Sequence, residues 1–198
     1  MADKLIPTAS QTVGPFFHLG LARAEWGDLS ADNPPGAPGG ERIAIEGRVI
    51  DGDGAPVPDA LIELWQANAA GRYNHPDDRQ DGKPLDPHFR GFGRVATDAE
   101  GRFHVVTIKP GPVPGRGNAL QAPHINIALF ARGLLKHLYT RIYFADEAAN
   151  AGDPLLSSIE DEAARLSLLA RRERGAGPAL YRFDIVLQGD NETAFLDI

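Results

Sequence analysis

The stretch "IAIEGRVIDGDGAPVPDALIELWQA", residues 43–67, holds two candidate strands joined by a turn. Ile43, Ile45, Gly47 and Val49 recur at every second position, so a strand there puts all four on one face. Asp-Gly occurs twice in "DGDGAPV" and marks a tight turn. The Asp-x-Asp-Gly order also occurs in calcium loops. No glutamate follows at the required spacing, so the stretch reads as a hairpin turn. "ALIELWQA" (60–67) is the second strand.

The same alternation continues outward along the chain. "GRFHVVTI" (101–108) follows the turn "TDAEG", and "HINIALF" (124–130) and "LYTRIYF" (138–144) flank "ARGLLKH". "YRFDIVL" (181–187) sets Tyr181, Phe183, Ile185 and Leu187 on one face. Many short strands with glycine-rich turns predict a mainly β fold, a β-sandwich. One helix is expected in "SSIEDEAARLSLLARRER" (157–174). Ser157 and Glu160 stand in capping-box spacing, and Ile159, Ala163, Leu166 and Ala170 form an apolar stripe. Acids crowd its start, Arg171, Arg172 and Arg174 suit its end, and Gly175 stops it. Residues 68–95 form a long polar loop, of the kind that is functional or covered by a partner. Residues 1–40 read as an extended arm with a Pro/Gly loop over 30–41, and residues 41–198 as a single domain. Val13, Phe16, Phe17 and Leu19 give the arm an apolar kernel that must be covered, by its own domain or by a neighbouring chain.

Of the 198 residues 42% are hydrophobic, enough for one sizeable core. With no cysteine, the chain has no disulfide, thiolate metal site or cysteine nucleophile. The formal charge of -7 and the lack of a basic tract argue against nucleic-acid binding. No apolar run approaches the ~20 residues of a membrane helix. The first residues lack the apolar core of a signal peptide, and a cytoplasmic protein is expected.

Candidate chemistry lies in scattered polar side chains. His124 and Asn126 in "HIN" share one face of a strand, where a His-x-His pair could hold a metal. A neutral amide is a poor ligand for a transition metal. His124 is either a hydrogen-bonded structural histidine or a ligand. His75, Asp77 and Asp78 cluster in "NHPDDR", where a second metal reading would join His75 and nearby acids to His124. Arg132 and Arg141, after and within strands, could each clamp a carboxylate or pair with a surface acid.

Four stretches together resemble the intradiol ring-cleaving dioxygenases. They are "GRVIDGDGAPVPDALIELWQANAAGRYNHPDDR", "LDPHFRGFGRVATDAEGRFHVVTIKPGPVP", "APHINIALFARG" and "LYRFDIVLQG", and the likeness covers residues 43–190. "ELWQANAAGRY" and "TIKPGP" are the most specific pieces. The family binds one Fe(III) through two tyrosines and two histidines, a hard cation held by phenolates whose pKa the metal lowers. At those positions the resemblance puts Gln80, Val113, His124 and Asn126, and Gln121 where the family has an arginine near substrate. Val113 has no donor atom. The resemblance therefore implies a vestigial metal site.

Some members of this family pair an iron-bearing β subunit with an α subunit of the same fold and a degenerate site. "TASQTVGPFFHLGL" (8–21) and "FARGLLKHLYTRIYF" (130–144) are similar to the α type. That likeness implies a large symmetric assembly with a β subunit that holds the Fe(III), no catalytic residue on this chain, and protocatechuate as substrate. It places Thr12, Gly14, Pro15 and Arg132 at the β subunit's substrate pocket, with the Arg132 guanidinium close to the substrate carboxylate. The competing expectation is a stand-alone β-sandwich binding module.

Overall fold

The computed structural model describes residues 6–32, 39–174 and 178–197. Residues 1–5 of the arm, 33–38 of the Pro/Gly loop and Gly175 lie outside the described residues. Along the chain run α1 (Phe17–Leu21), β1 (Arg42–Ile50), β2 (Leu61–Trp65), β3 (Phe92–Ala96), β4 (Arg102–Ile108), β5 (Val113–Pro114) and β6 (Leu120–Gln121). Then come β7 (His124–Phe130), β8 (Leu138–Phe144), α2 (Pro154–Ser158), α3 (Glu162–Leu166), β9 (Leu169–Glu173), β10 (Ala179–Arg182) and β11 (Ile185–Val186).

In one sheet β1 lies antiparallel to β4 and parallel to β10 and β11. In the other, β2 lies between β3 and β7, and β7 pairs with β8, all antiparallel. The alternation expected from the sequence faces the space between them. Ile43, Ile45 and Val49 of β1 and Val105 of β4 are buried in one cluster with Ile62, Leu64, Ile125, Ile127, Leu129 and Ile142. Burying such side chains contributes about 1.5–3 kcal/mol each, which makes this cluster the main stabilising feature.

The 51–55 turn forms as expected, with Asp51 N–H donating to the Ala55 carbonyl at 2.9 Å. The ladder it closes is short, ending at the Ile50–Pro56 bridge and a bond from Val57 N–H to the Val49 carbonyl. The chain then crosses to the second sheet, so β2 pairs with β3 and β7 and not with β1. The loop expected over 68–95 ends earlier, because Phe92–Val95 pair with β2.

The single helix expected over 157–174 does not form. Two short helices replace its first half, and Leu169–Glu173 become β9. The helix starts are set by Asp153 and Asp161, whose carboxylates accept backbone N–H groups of the first turn, and not by Ser157 and Glu160. Ile159 and Asp161 have extended backbones and separate the two turns. Tertiary pairing overrides helix propensity from Leu169 onward: β9 lies parallel to β8 and antiparallel to β10, filling the gap between the two sheets. Arg172 is correspondingly no solvated helix end, since it bonds Glu41 at 2.9 Å and Asp146 at 3.2 Å.

Gly47 sits in mid-strand because another backbone crosses it. A Cβ there would stand 1.7 Å from the Phe183 carbonyl oxygen. Gly47→Ala should therefore cost about 3 kcal/mol and lower Tm by roughly 6–12 °C, read by thermal unfolding. An unchanged Tm would contradict this crossing.

Candidate functional site

Period-two alternation divides β7 between two jobs. Ile125, Ile127 and Leu129 enter the core, while His124 and Asn126 face the other way. The register places Tyr143 opposite His124, Arg141 opposite Asn126, and Trp65 beside Asn126 on the other flank. A polar patch results on the outer face of the second sheet.

Arg141 organises this patch. Its Nε donates to Asn126 Oδ1 at 3.0 Å, and its Nη1 donates to Gln121 Oε1 at 2.7 Å and Tyr143 Oη at 3.1 Å. Asn126 Nδ2 donates to the Trp65 carbonyl at 3.2 Å and lies 3.4 Å from the Tyr73 hydroxyl. The Tyr73 ring stacks on Trp65. Burial raises the Tyr73 pKa despite the nearby Arg141 charge, so its hydroxyl stays a neutral phenol. Burial likewise pushes Tyr143 upward, and Tyr143 donates to Asp153 Oδ1 at 3.2 Å. The Asp153 carboxylate also accepts from Ala122 N–H at 2.7 Å and caps α2, tying the start of β7 to that helix.

His124 is buried, with Nδ1 2.8 Å from the Ala122 carbonyl, the arrangement of a hydrogen-bonded structural histidine. Its Nε2 is buried without a partner among the described residues. Gln80 and Val113 lie with Trp65, Tyr73, Asp78 and Pro114 around an open groove of about 570 Å³. Gln80 Nε2 is engaged by the Gly71 carbonyl at 3.0 Å and Asp78 Oδ2 at 3.1 Å. Val113 is buried and pairs with Gln121 in the β5–β6 ladder.

These residues do not fit Fe(III). Val113 offers no donor, the amide oxygen of Asn126 is occupied by a guanidinium, and that guanidinium brings a positive charge where a cation would have to sit. The second metal reading gains no support either. His75 is half exposed and 3.7 Å from Asp77. Among the described residues, no group of three or more His, Cys, Asp or Glu side chains could hold a metal ion.

The other expected site residues gather at the opposite end of β7. Arg132 follows the strand, eight residues and roughly 25 Å of extended chain beyond His124. Its Nε and Nη2 bond the Asp59 carboxylate at 3.2 Å and 3.1 Å, with 53% of the side chain exposed. Thr12 comes to the same turn, its Oγ1 accepting from Gly133 N–H at 2.8 Å. Gly14 and Pro15 are exposed just before α1, where the Gly14 carbonyl accepts from Phe17 N–H. Phe17 folds its ring against Phe130 at 5.7 Å, which anchors the arm. Phe16, Leu19 and Leu135 remain largely exposed. Sequence reasoning missed Asp59 and the role of Arg141. A Pro-Asp turn and two neighbouring candidate strands were visible in the sequence, but neither identifies a partner.

Over residues 13–189 the chain matches the model of a protein family described as Dioxygenase. It is 45% identical to the protocatechuate 3,4-dioxygenase alpha chain of Pseudomonas putida, with all of both chains covered. To the protocatechuate 3,4-dioxygenase beta chain of Burkholderia cepacia it is 47% identical, covering 80% of this chain and 69% of that one. Among solved structures, the dioxygenase domain of a carbohydrate-binding fusion protein from Streptomyces sp. SirexAA-E matches with a TM-score of 0.61 at 28% identity, covering 87% of this chain and 89% of that one.

The buried His124 makes stability depend on pH. Burial first, and the Arg141 charge second, lower its pKa from 6.5 to about 4. Between these values the unfolded chain binds the proton and the folded chain does not. The contribution is therefore complete above about pH 6.5 and is lost as pH falls toward 4, a change of about 3 kcal/mol. His124→Asn should flatten denaturant-measured stability across that window. An equal slope in both proteins would show that another group is responsible.

Proposed function

Because the chain belongs to the dioxygenase family, in which its relatives include both subunit types of one enzyme, we propose that it is an α subunit of a protocatechuate 3,4-dioxygenase. It works within a hetero-oligomer that converts protocatechuate and O2 to 3-carboxy-cis,cis-muconate. Fe(III), and the dioxygen chemistry it supports, belong to the β subunit. This chain completes the substrate pocket of that partner. We further place the assembly in the cytoplasm and in aromatic catabolism by the β-ketoadipate route, in keeping with the cysteine-free composition and the substrate.

The observation that carries this reading is the guanidinium of Arg141 bonded to Asn126. Where the family holds a cation, this chain has built in its own positive charge. The half-exposed Arg132 then has a role for which its own vestigial patch gives no use, since the two lie at opposite ends of β7. A guanidinium matches the carboxylate of a dihydroxybenzoate in both charge and planar geometry. Exposed Phe16, Leu19 and Leu135 give the arm and the 131–137 turn an apolar surface suited to a subunit contact. Among the described residues no helix is long and apolar enough to cross a membrane.

Co-expression with a related chain carrying two tyrosine and two histidine ligands tests the assignment. The two chains should co-purify with about one iron per pair, and this chain alone should show no turnover. Arg132→Ala should raise KM for protocatechuate by roughly tenfold or more with iron content unchanged. Unaltered KM would refute the pocket role of Arg132. A chain that purifies alone and metal-free beside its candidate partner would instead support a stand-alone binding module.

A further inference from the structure

Asp59 is the one non-glycine residue with positive φ among the described residues, at +56°. It follows Pro58 in the turn between Val57 and Ala60. Proline followed by a positive φ is the pattern of a type II turn, where glycine is the unstrained choice. An L side chain held there signals that the side chain itself is needed. Thr97 fixes the turn at both ends: its Oγ1 accepts from Ala60 N–H at 2.9 Å and donates to the Val57 carbonyl at 2.8 Å.

We propose that Asp59 is the positioning residue for Arg132, holding the guanidinium so that its free edge meets the substrate carboxylate. This rests on the pocket role of Arg132 given above. Asp59 takes Nε and Nη2 with both carboxylate oxygens, a fork-on-fork pair. The acid is the shielded member, at 18% exposure against 53% for the arginine. A guanidinium has five N–H groups, and the pair uses only its Nε–Nη2 edge. The Nη1 edge remains for a second carboxylate. Thr12, bonded to Gly133 N–H, braces the backbone of the same turn from the arm. Ordering the long arginine in advance removes an entropic cost that binding would otherwise incur.

The test uses the αβ complex, with protocatechuate and with catechol, the same ring without its carboxylate. Asp59→Asn and Asp59→Gly should each raise KM for protocatechuate by roughly three- to tenfold and leave kcat within about twofold. Catechol kinetics should not change. Tm of Asp59→Gly should hold or rise, since glycine accepts this backbone freely. Adding Asp59→Asn to Arg132→Ala should have no further effect on KM. If Arg132→Ala raises KM but the Asp59 variants leave it unchanged or lower it, the positioning role is overturned and the pocket role stands. Equal losses on catechol would overturn it too, since a general structural defect would then explain them. If Arg132→Ala itself changes nothing, both readings fall.

Discussion

In a β-strand, neighbouring side chains point to opposite faces, and in β7 this rule separates the core from the chemistry. Ile125, Ile127 and Leu129 hold the sandwich together, while His124 and Asn126 stand on the far side of the same backbone. Residues on the outer face can therefore change identity without disturbing the core cluster. The register of β7 with β2 and β8 determines which partners those residues meet.

Those partners explain how the polar patch is held together. The patch holds polar side chains in a half-buried place, and each unmet donor or acceptor is costly there. Arg141 meets the need from the neighbouring strand by bonding Asn126, Gln121 and Tyr143 together. Asp153 completes the arrangement through Tyr143 and the Ala122 backbone. The patch is a structural polar network that leaves His124 Nε2 without a partner among the described residues. At the other end of β7, an arginine of the same charge is left half exposed, gripped on one edge alone among the described residues.

Much of this was legible in the sequence, and the exceptions have physical causes. Alternation located the strands because burial of one face requires it, as the inward Ile43, Ile45 and Val49 demonstrate. Residues 157–174 misled because capping and periodicity are local signals, whereas β9 exists only because β8 and β10 leave a place between them. The resemblance pointed to Gln80, Val113, His124 and Asn126 residue by residue. It did not point to Arg141, since that role depends on cross-strand register. Asp59 was hidden for another reason: a Pro-Asp pair reads as an ordinary turn until the backbone angle and the Arg132 contact are known.

The position of β9 affects how the protein comes apart. Because that strand is hydrogen-bonded to β8 on one side and β10 on the other, the two layers are one continuous ribbon folded over the core. On the β9 side neither layer has a free seam, whereas β3 and β4 are outer strands on the other. Opening of β9 is thus coupled to exposure of both inner faces. The layers therefore melt as one cooperative unit despite their separate origins along the chain.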